Sequence, residues 1–175
     1  TVLAPMVLSR VDYGKAMDQL NGVPGPVLVP HRAATLTDLI AAAVASLLPP
    51  PKPKQFPRFA GMDIADLLRT DLRNHWISNS TADCFMVAAA VRRWAAAGLT
   101  ADRIIYVYEN QPWERALCWQ MKRSYPDACI SGYQHAAIPK MVLKYFLAPG
   151  GEPEAPLPDR VVTAGKHTAN LLAAG

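Results

Sequence analysis

From Arg103 onward the chain alternates apolar β-branched or aromatic runs with stretches of helical spacing. Ile104-Ile105-Tyr106-Val107-Tyr108 is continuous, the form of a parallel strand covered on both faces. Trp113 to Ser124 then reads as a helix with Trp113, Ala116, Leu117 and Met121 inward, stopped by Pro126-Asp127. Ala128 to Tyr133 is the next expected strand, Pro139 to Phe146 a short helix, Arg160 to Ala164 a third strand and Lys166 to Ala174 a last helix. Two β-α-β units in succession predict parallel strands with right-handed crossovers. The expected class is α/β, a doubly wound, mainly parallel, Rossmann-like sheet.

The first half is less regular. Val2 to Leu8 and Val27 to Val29 are short apolar runs bounded by Pro and Gly, each expected as a strand, with a short helix over Tyr13 to Leu20 between them. Thr35, with Asp38 three residues on, resembles a capping box. Behind it Leu36, Leu39, Ile40, Ala43, Val44 and Leu47 fall on one helical face that Pro49 must end. The proline-rich segment 49–57 cannot extend a helix or join a central strand, and reads as a linker inside a single domain spanning 1–175. Beyond it, Asp63 can cap a helix bearing Ile64, Leu67, Leu68, Leu72 and Trp76. Ser80 or Thr81 can start another through Phe85, Val87, Val91 and Trp94 to a stop at Gly98. This second helix is apolar nearly all round and should be buried.

Composition narrows the class. With 51% apolar and 18% charged residues, a 175-residue chain can build a true core. The longest uncharged, proline-free runs, Leu39 to Leu48 and Cys84 to Val91, fall well short of a bilayer span, so no transmembrane segment is expected. Three cysteines without a C-x-x-C pair argue against a disulfide framework and for a reducing compartment, hence a cytoplasmic location. The net charge of +4 is scattered, which excludes a concentrated nucleic-acid face.

Candidate chemistry gathers where the strands end, because ligands of open parallel sheets collect outside the carboxyl ends of the strands. Glu109 follows the first strand, where a carboxylate can act as base or bind a sugar hydroxyl; a carboxylate accepting helix amides is the equally open alternative. His135 follows the second strand, after Gly132, and can take a proton or hold a phosphate. Asn110, Gln111, Gln134, Gly165 and Lys166 complete the candidate substrate-binding set. Glu114, in the first turn of its helix, reads as a dipole partner rather than a chemical group. His31 and His167 are weaker candidates, and His75 beside Trp76 reads as structural. Gly165-Lys166-His167-Thr168 fails as a P-loop because Arg160 stands at the upstream glycine position. No clustered Cys/His set suggests zinc, and neither G-x-S-x-G nor G-x-G-x-x-G occurs.

Three ordered motifs carry a family resemblance: Tyr108-Glu109-Asn110-Gln111-Pro112-Trp113-Glu114-Arg115, Gly132-Tyr133-Gln134-His135-Ala136, and Pro156 through Gly165. Over Arg103 to Gly175, and more faintly at Phe59 to Asp63, the chain resembles bacterial surface carbohydrate biosynthesis proteins, similar in outline to GT-B glycosyltransferases. The resemblance implies an N-terminal, acceptor-side half of such an enzyme, in a fragment of a longer chain. It implies His135 as base or phosphate ligand, Glu109 orienting a sugar or lipid-linked sugar acceptor, and no cofactor in this chain. A nucleotide-sugar donor would then bind a missing C-terminal domain, so the chain alone should be inactive, working at the inner face of the membrane with peripheral contact at most. A non-catalytic sugar- or nucleotide-binding module and a scaffold domain in envelope assembly remain the alternatives.

Overall fold

A computed structural model describes residues 12–50, 58–59, 61–76, 79–136, 138, 145 and 156–173. The expected strand at Val2 to Leu8, most of the proline-rich linker and nearly all of the Pro139 to Phe146 helix lie outside the described residues. Helix α1 (Tyr13–Asn21) starts at Asp12, whose carboxylate accepts the Lys15 N–H at 3.2 Å. The expected strand at Val27 to Val29 shrinks to an isolated bridge at Val27, because helix α2 (Pro30–Ala33) begins at once and Pro30 supplies no amide to a ladder.

Helix α3 (Leu36–Leu47) opens where expected. The Asp38 carboxylate accepts the Thr35 N–H at 2.9 Å and the Thr35 hydroxyl at 2.8 Å, and it also holds Arg93 Nε at 2.6 Å. Strands β1 (Arg58–Phe59) and β2 (Met62–Asp63) pair antiparallel around Gly61, whose φ of +80° suits a residue without a Cβ. Asp63 Oδ1 then accepts the Ala65 N–H at 2.9 Å and launches helix α4 (Ala65–Trp76). Helix α5 (Asn79–Ala96) ends in a Schellman turn: Leu99 N–H bonds the Trp94 carbonyl, Gly98 N–H bonds that of Ala95, and Gly98 has φ +84°. Its middle, Met86 to Val91, is the most deeply buried stretch of the first half, and α2, α3 and α4 all pack against it.

Strand β3 (Arg103–Val107), helix α6 (Pro112–Ser124), strand β4 (Cys129–Gln134), strand β5 (Arg160–Thr163) and helix α7 (Lys166–Ala173) complete the order. The three strands form one parallel sheet with β4 central, Ile104 beside Ile130 and Gly132 beside both Tyr106 and Val161. The described fold is therefore mixed α/β with a three-stranded parallel sheet. Ile104, Tyr106 and Ile130 face a core made with Val91, Trp94, Leu117, Cys118, Met121 and Tyr125. The other face is open at β3, where Ile105 is 73% exposed and Val107 is exposed as well. Cover on both faces, expected from the unbroken apolar run, is thus not what β3 has.

The motif Pro158-Asp159-Arg160 acts as a strand clamp. Asp159 N–H donates to the Ile130 carbonyl at 2.9 Å, its Oδ2 accepts the Ile130 N–H at 2.8 Å, and Arg160 Nε donates to Ser131 Oγ at 2.8 Å. The Ile130 amide, with Lys122 Nζ at 3.1 Å, holds the Asp159 carboxyl below its ordinary value. Two of the helices meet the sequence expectation only in part: α4 buries no side chain fully, with Leu67 left 69% exposed, and α3 turns its apolar stripe outward.

Candidate functional site

The carboxyl ends of β3, β4 and β5 lie side by side. Tyr108 N–H bonds the Tyr133 carbonyl at 2.9 Å and Ala164 N–H bonds that of Gln134 at 3.1 Å, so Glu109, His135 and Gly165 all follow the same edge of the sheet. Gly132 is what allows Tyr108 to pack there. A Cβ at Gly132 would stand 2.9 Å from Tyr108 Cβ and 3.1 Å from two of its ring atoms. The Tyr108 ring in turn lies 6.0 Å from the Tyr145 ring and 6.3 Å from that of Tyr106. Burial raises the Tyr108 and Tyr145 hydroxyls above their ordinary value, and both stay protonated at neutral pH.

Between β3 and α6 the backbone turns through Asn110, a buried residue at φ +53°, a region asparagine tolerates better than most side chains. This turn aims successive amides at one point. Both oxygens of Glu114 accept the Glu109 N–H, at 3.0 and 3.1 Å, and the carboxylate also accepts the N–H groups of Gln111 and Asn110. Three backbone donors converge as in an anion-binding nest, and the chain's own glutamate fills it. Glu114 is only 1% exposed, and burial pushes its carboxyl up to about 7 despite those donors. Glu114 thus takes the role expected of an acid in the first helical turn, and takes it while buried. It is a buried positioning residue that fixes the loop carrying Glu109, Asn110 and Gln111. The acid at the third helical position after Gln111 was its sequence signal, as in a capping box.

The predicted site residues divide into two groups. Glu109 and Gln111 are half-buried, joined by a 3.4 Å bond from Gln111 Nε2 to Glu109 Oε2, and both line a cleft of about 1310 Å³. That cleft runs along β3 and is walled by Leu28, Pro30, Trp94, Trp113, Leu117, Met121 and Tyr125, with Glu114 at the same end as Glu109. Tyr125 brings a buried hydroxyl without a partner among the described residues. Asn110, Gln134, His135, Gly165 and Lys166 do not line this cleft. Asn110 Oδ1 is taken by Arg115 Nε at 3.0 Å. Gln134 is 1% exposed, its Nε2 bonds the Ala136 carbonyl at 2.5 Å, and its Oε1 has no partner among the described residues. His135 is exposed and stacks on Tyr133 at 6.5 Å. Gly165 and Lys166 are exposed at the start of α7.

Neither of the weaker candidates, His31 and His167, lines the cleft, although His31 Nδ1 is buried without a hydrogen-bond partner among the described residues. His75 pairs with Asp71 at 3.3 Å on exposed α4, while its neighbour Trp76 ties α4 to α3 through a 3.1 Å bond to the Ala45 carbonyl. Among the described residues, no group of three or more His, Cys, Asp or Glu could hold a metal ion, and no helix is long and apolar enough to cross a membrane. The three cysteines are unpaired. No protein-family model, curated protein or solved structure matches the chain.

Proposed function

We propose that this chain is the acceptor-side domain of a glycosyltransferase of bacterial surface-polysaccharide synthesis, a Rossmann-like half of a GT-B arrangement. What carries the reading is the cleft beside β3, where Glu109, Gln111 and Trp113 line one opening. Sugars call for this mixture, an aromatic face for the apolar side of the ring and a few fixed polar groups for its hydroxyls. The specific assignment rests on the resemblance of the three motifs to those of surface carbohydrate biosynthesis proteins.

In this reading Glu109 accepts a hydroxyl of the acceptor sugar and draws its proton, and Gln111 fixes the second hydroxyl-binding position. Glu114 keeps their loop in place. Gln134, with its unmet Oε1, and His135 serve the same sheet edge, His135 as base or phosphate ligand toward a nucleotide-sugar held by a partner domain. Gly165 and Lys166, at the head of α7, are the remaining contacts to that donor. Transfer requires both substrates in one cleft, so this chain alone neither transfers sugar nor binds a nucleotide-sugar tightly.

Amide-resolved NMR titration tests the proposal. Mono- and disaccharide acceptors should shift amides of Glu109 to Glu114, while nucleotide-sugars should leave the spectrum nearly unchanged. Micromolar nucleotide-sugar binding mapped to Gly165 to Thr168, without any response at Glu109 to Glu114, would overturn it in favour of a nucleotide-binding module.

A further inference from the structure

Helix α3 carries its apolar stripe on the outside. Leu36, Leu39, Ile40 and Val44 each keep half or more of their surface exposed, Leu47 is 84% exposed, and Ala43 lies exposed among them. The other side of the helix is occupied. Ala42 is buried, Asp38 is held by Arg93 at 2.6 Å and Arg92 at 3.5 Å, and the Ala45 carbonyl accepts the Trp76 indole. No α3 side chain lines the cleft beside β3.

We propose that α3 is a self-association surface, pairing antiparallel with α3 of a second copy about a two-fold axis. The stripe is symmetric about its own midpoint. In an antiparallel pair Leu36 meets Leu47 of the second copy, Leu39 meets Val44 and Ile40 meets Ala43, and each contact recurs by symmetry. Ile40 against the small Ala43 lets the helix axes approach closely at the centre. Leu36, Ile40, Ala43 and Leu47 follow the alternating four- and three-residue steps of a helix-pairing seam.

Charge and area favour this occupant. Asp38 is the single charged residue of α3 and is engaged on the opposite side, so pairing brings no like charges together. A helix lying on a membrane would carry Lys or Arg on its polar face, and α3 has neither. Each copy presents roughly 500 Å² of apolar stripe, toward the upper end of the range for the largest patch on a monomer, where such patches often mark interaction sites. Two copies together remove on the order of 1,000 Å², the lower limit of a specific interface and the size class of weak, transient association.

Sedimentation velocity over about 1–200 µM chain is the test, and wild type should pass from monomer to dimer within that range. Ile40→Glu should weaken the dimer by about a hundredfold with its melting temperature unchanged, because the side chain is exposed. Ile40→Glu/Ala43→Lys should restore the dimer, since the register sets each introduced acid against the introduced base of the other copy. Wild type that stays monomeric throughout overturns the proposal, and co-flotation of that monomer with phosphatidylglycerol vesicles assigns the face to a membrane instead. Dimerisation untouched by Ile40→Glu also overturns it, and a double variant that stays monomeric overturns the antiparallel register.

Discussion

Replacing Glu114 with Gln removes one ionisation while keeping the shape of the side chain. In the folded chain the carboxyl titrates at about 7, against an ordinary value of 4.5, because burial outweighs the three backbone amides that favour its charge. Below pH 4.5 the group is protonated whether the chain is folded or not, and its contribution to stability is fully present. As the pH rises the unfolded chain releases the proton first, so stability falls progressively and the loss is complete above about 7. A difference of that size corresponds to about 3 kcal/mol. At 1% exposure the side chain has little solvent to screen the effect. The glutamine variant has no proton to release. Urea denaturation of both proteins at about pH 4 and about pH 8 should give similar stabilities in acid, and a variant more stable by about 3 kcal/mol in base. Carboxylates remote from Glu114 are common to both proteins and cancel in the comparison. In thermal melts the gap at the higher pH should be roughly 6–12 °C for a chain of this size. A stability difference that is the same at both pH values would refute the reasoning, since it would mean that Glu114 is charged or neutral to the same extent before and after folding.

Gly132→Ala should cost about 1–3 kcal/mol in urea denaturation, because its Cβ meets Tyr108 Cβ at 2.9 Å; a neutral result would mean that Tyr108 is free to move. Asp38→Ala should cost about 1–2 kcal/mol by removing a helix cap and leaving Arg93 without its carboxylate. Arg93 and the Thr35 amide hold the Asp38 carboxyl below its ordinary 3.8, so this contribution is present above that pH and is lost as the pH falls below it. The gap between wild type and variant should therefore close in strong acid, as paired melts would read. Under the proposed function, Glu109→Gln and His135→Ala, each assayed in a protein that carries the donor domain the proposal requires, should lower sugar transfer by about 10²–10⁴-fold at unchanged melting temperature. Full activity in either variant removes that residue from the proposed mechanism.

Strands β3, β4 and β5 and helices α6 and α7 were legible because each is written in local pattern. β3, β4 and β5 are compact apolar runs set between helix-period segments, and their parallel pairing follows from the crossovers between them. Local chemistry also marked α3's start at Thr35 and Asp38 and α5's stop at Gly98, where a cap or a positive φ is satisfied within a few residues. Periodicity alone could not say which side of a helix turns inward. α3 seats Asp38 and Ala42 against α5 because Arg93 and the Trp76 indole hold it from that side, and its apolar stripe is left outside. Glu114 shows the same division of information. Its spacing from Gln111 is visible in the sequence, but its burial depends on Asn110 bending the loop so that three amides meet one carboxylate, an arrangement that only the packed end of β3 against α6 creates. The sequence by itself therefore determined α3, α5, α6 and the three parallel strands, and with them the sheet edge that the candidate residues follow. Tertiary structure decided which of the polar residues at that edge enter the cleft and which are spent holding it in shape, because that choice depends on the direction of each side chain among distant neighbours.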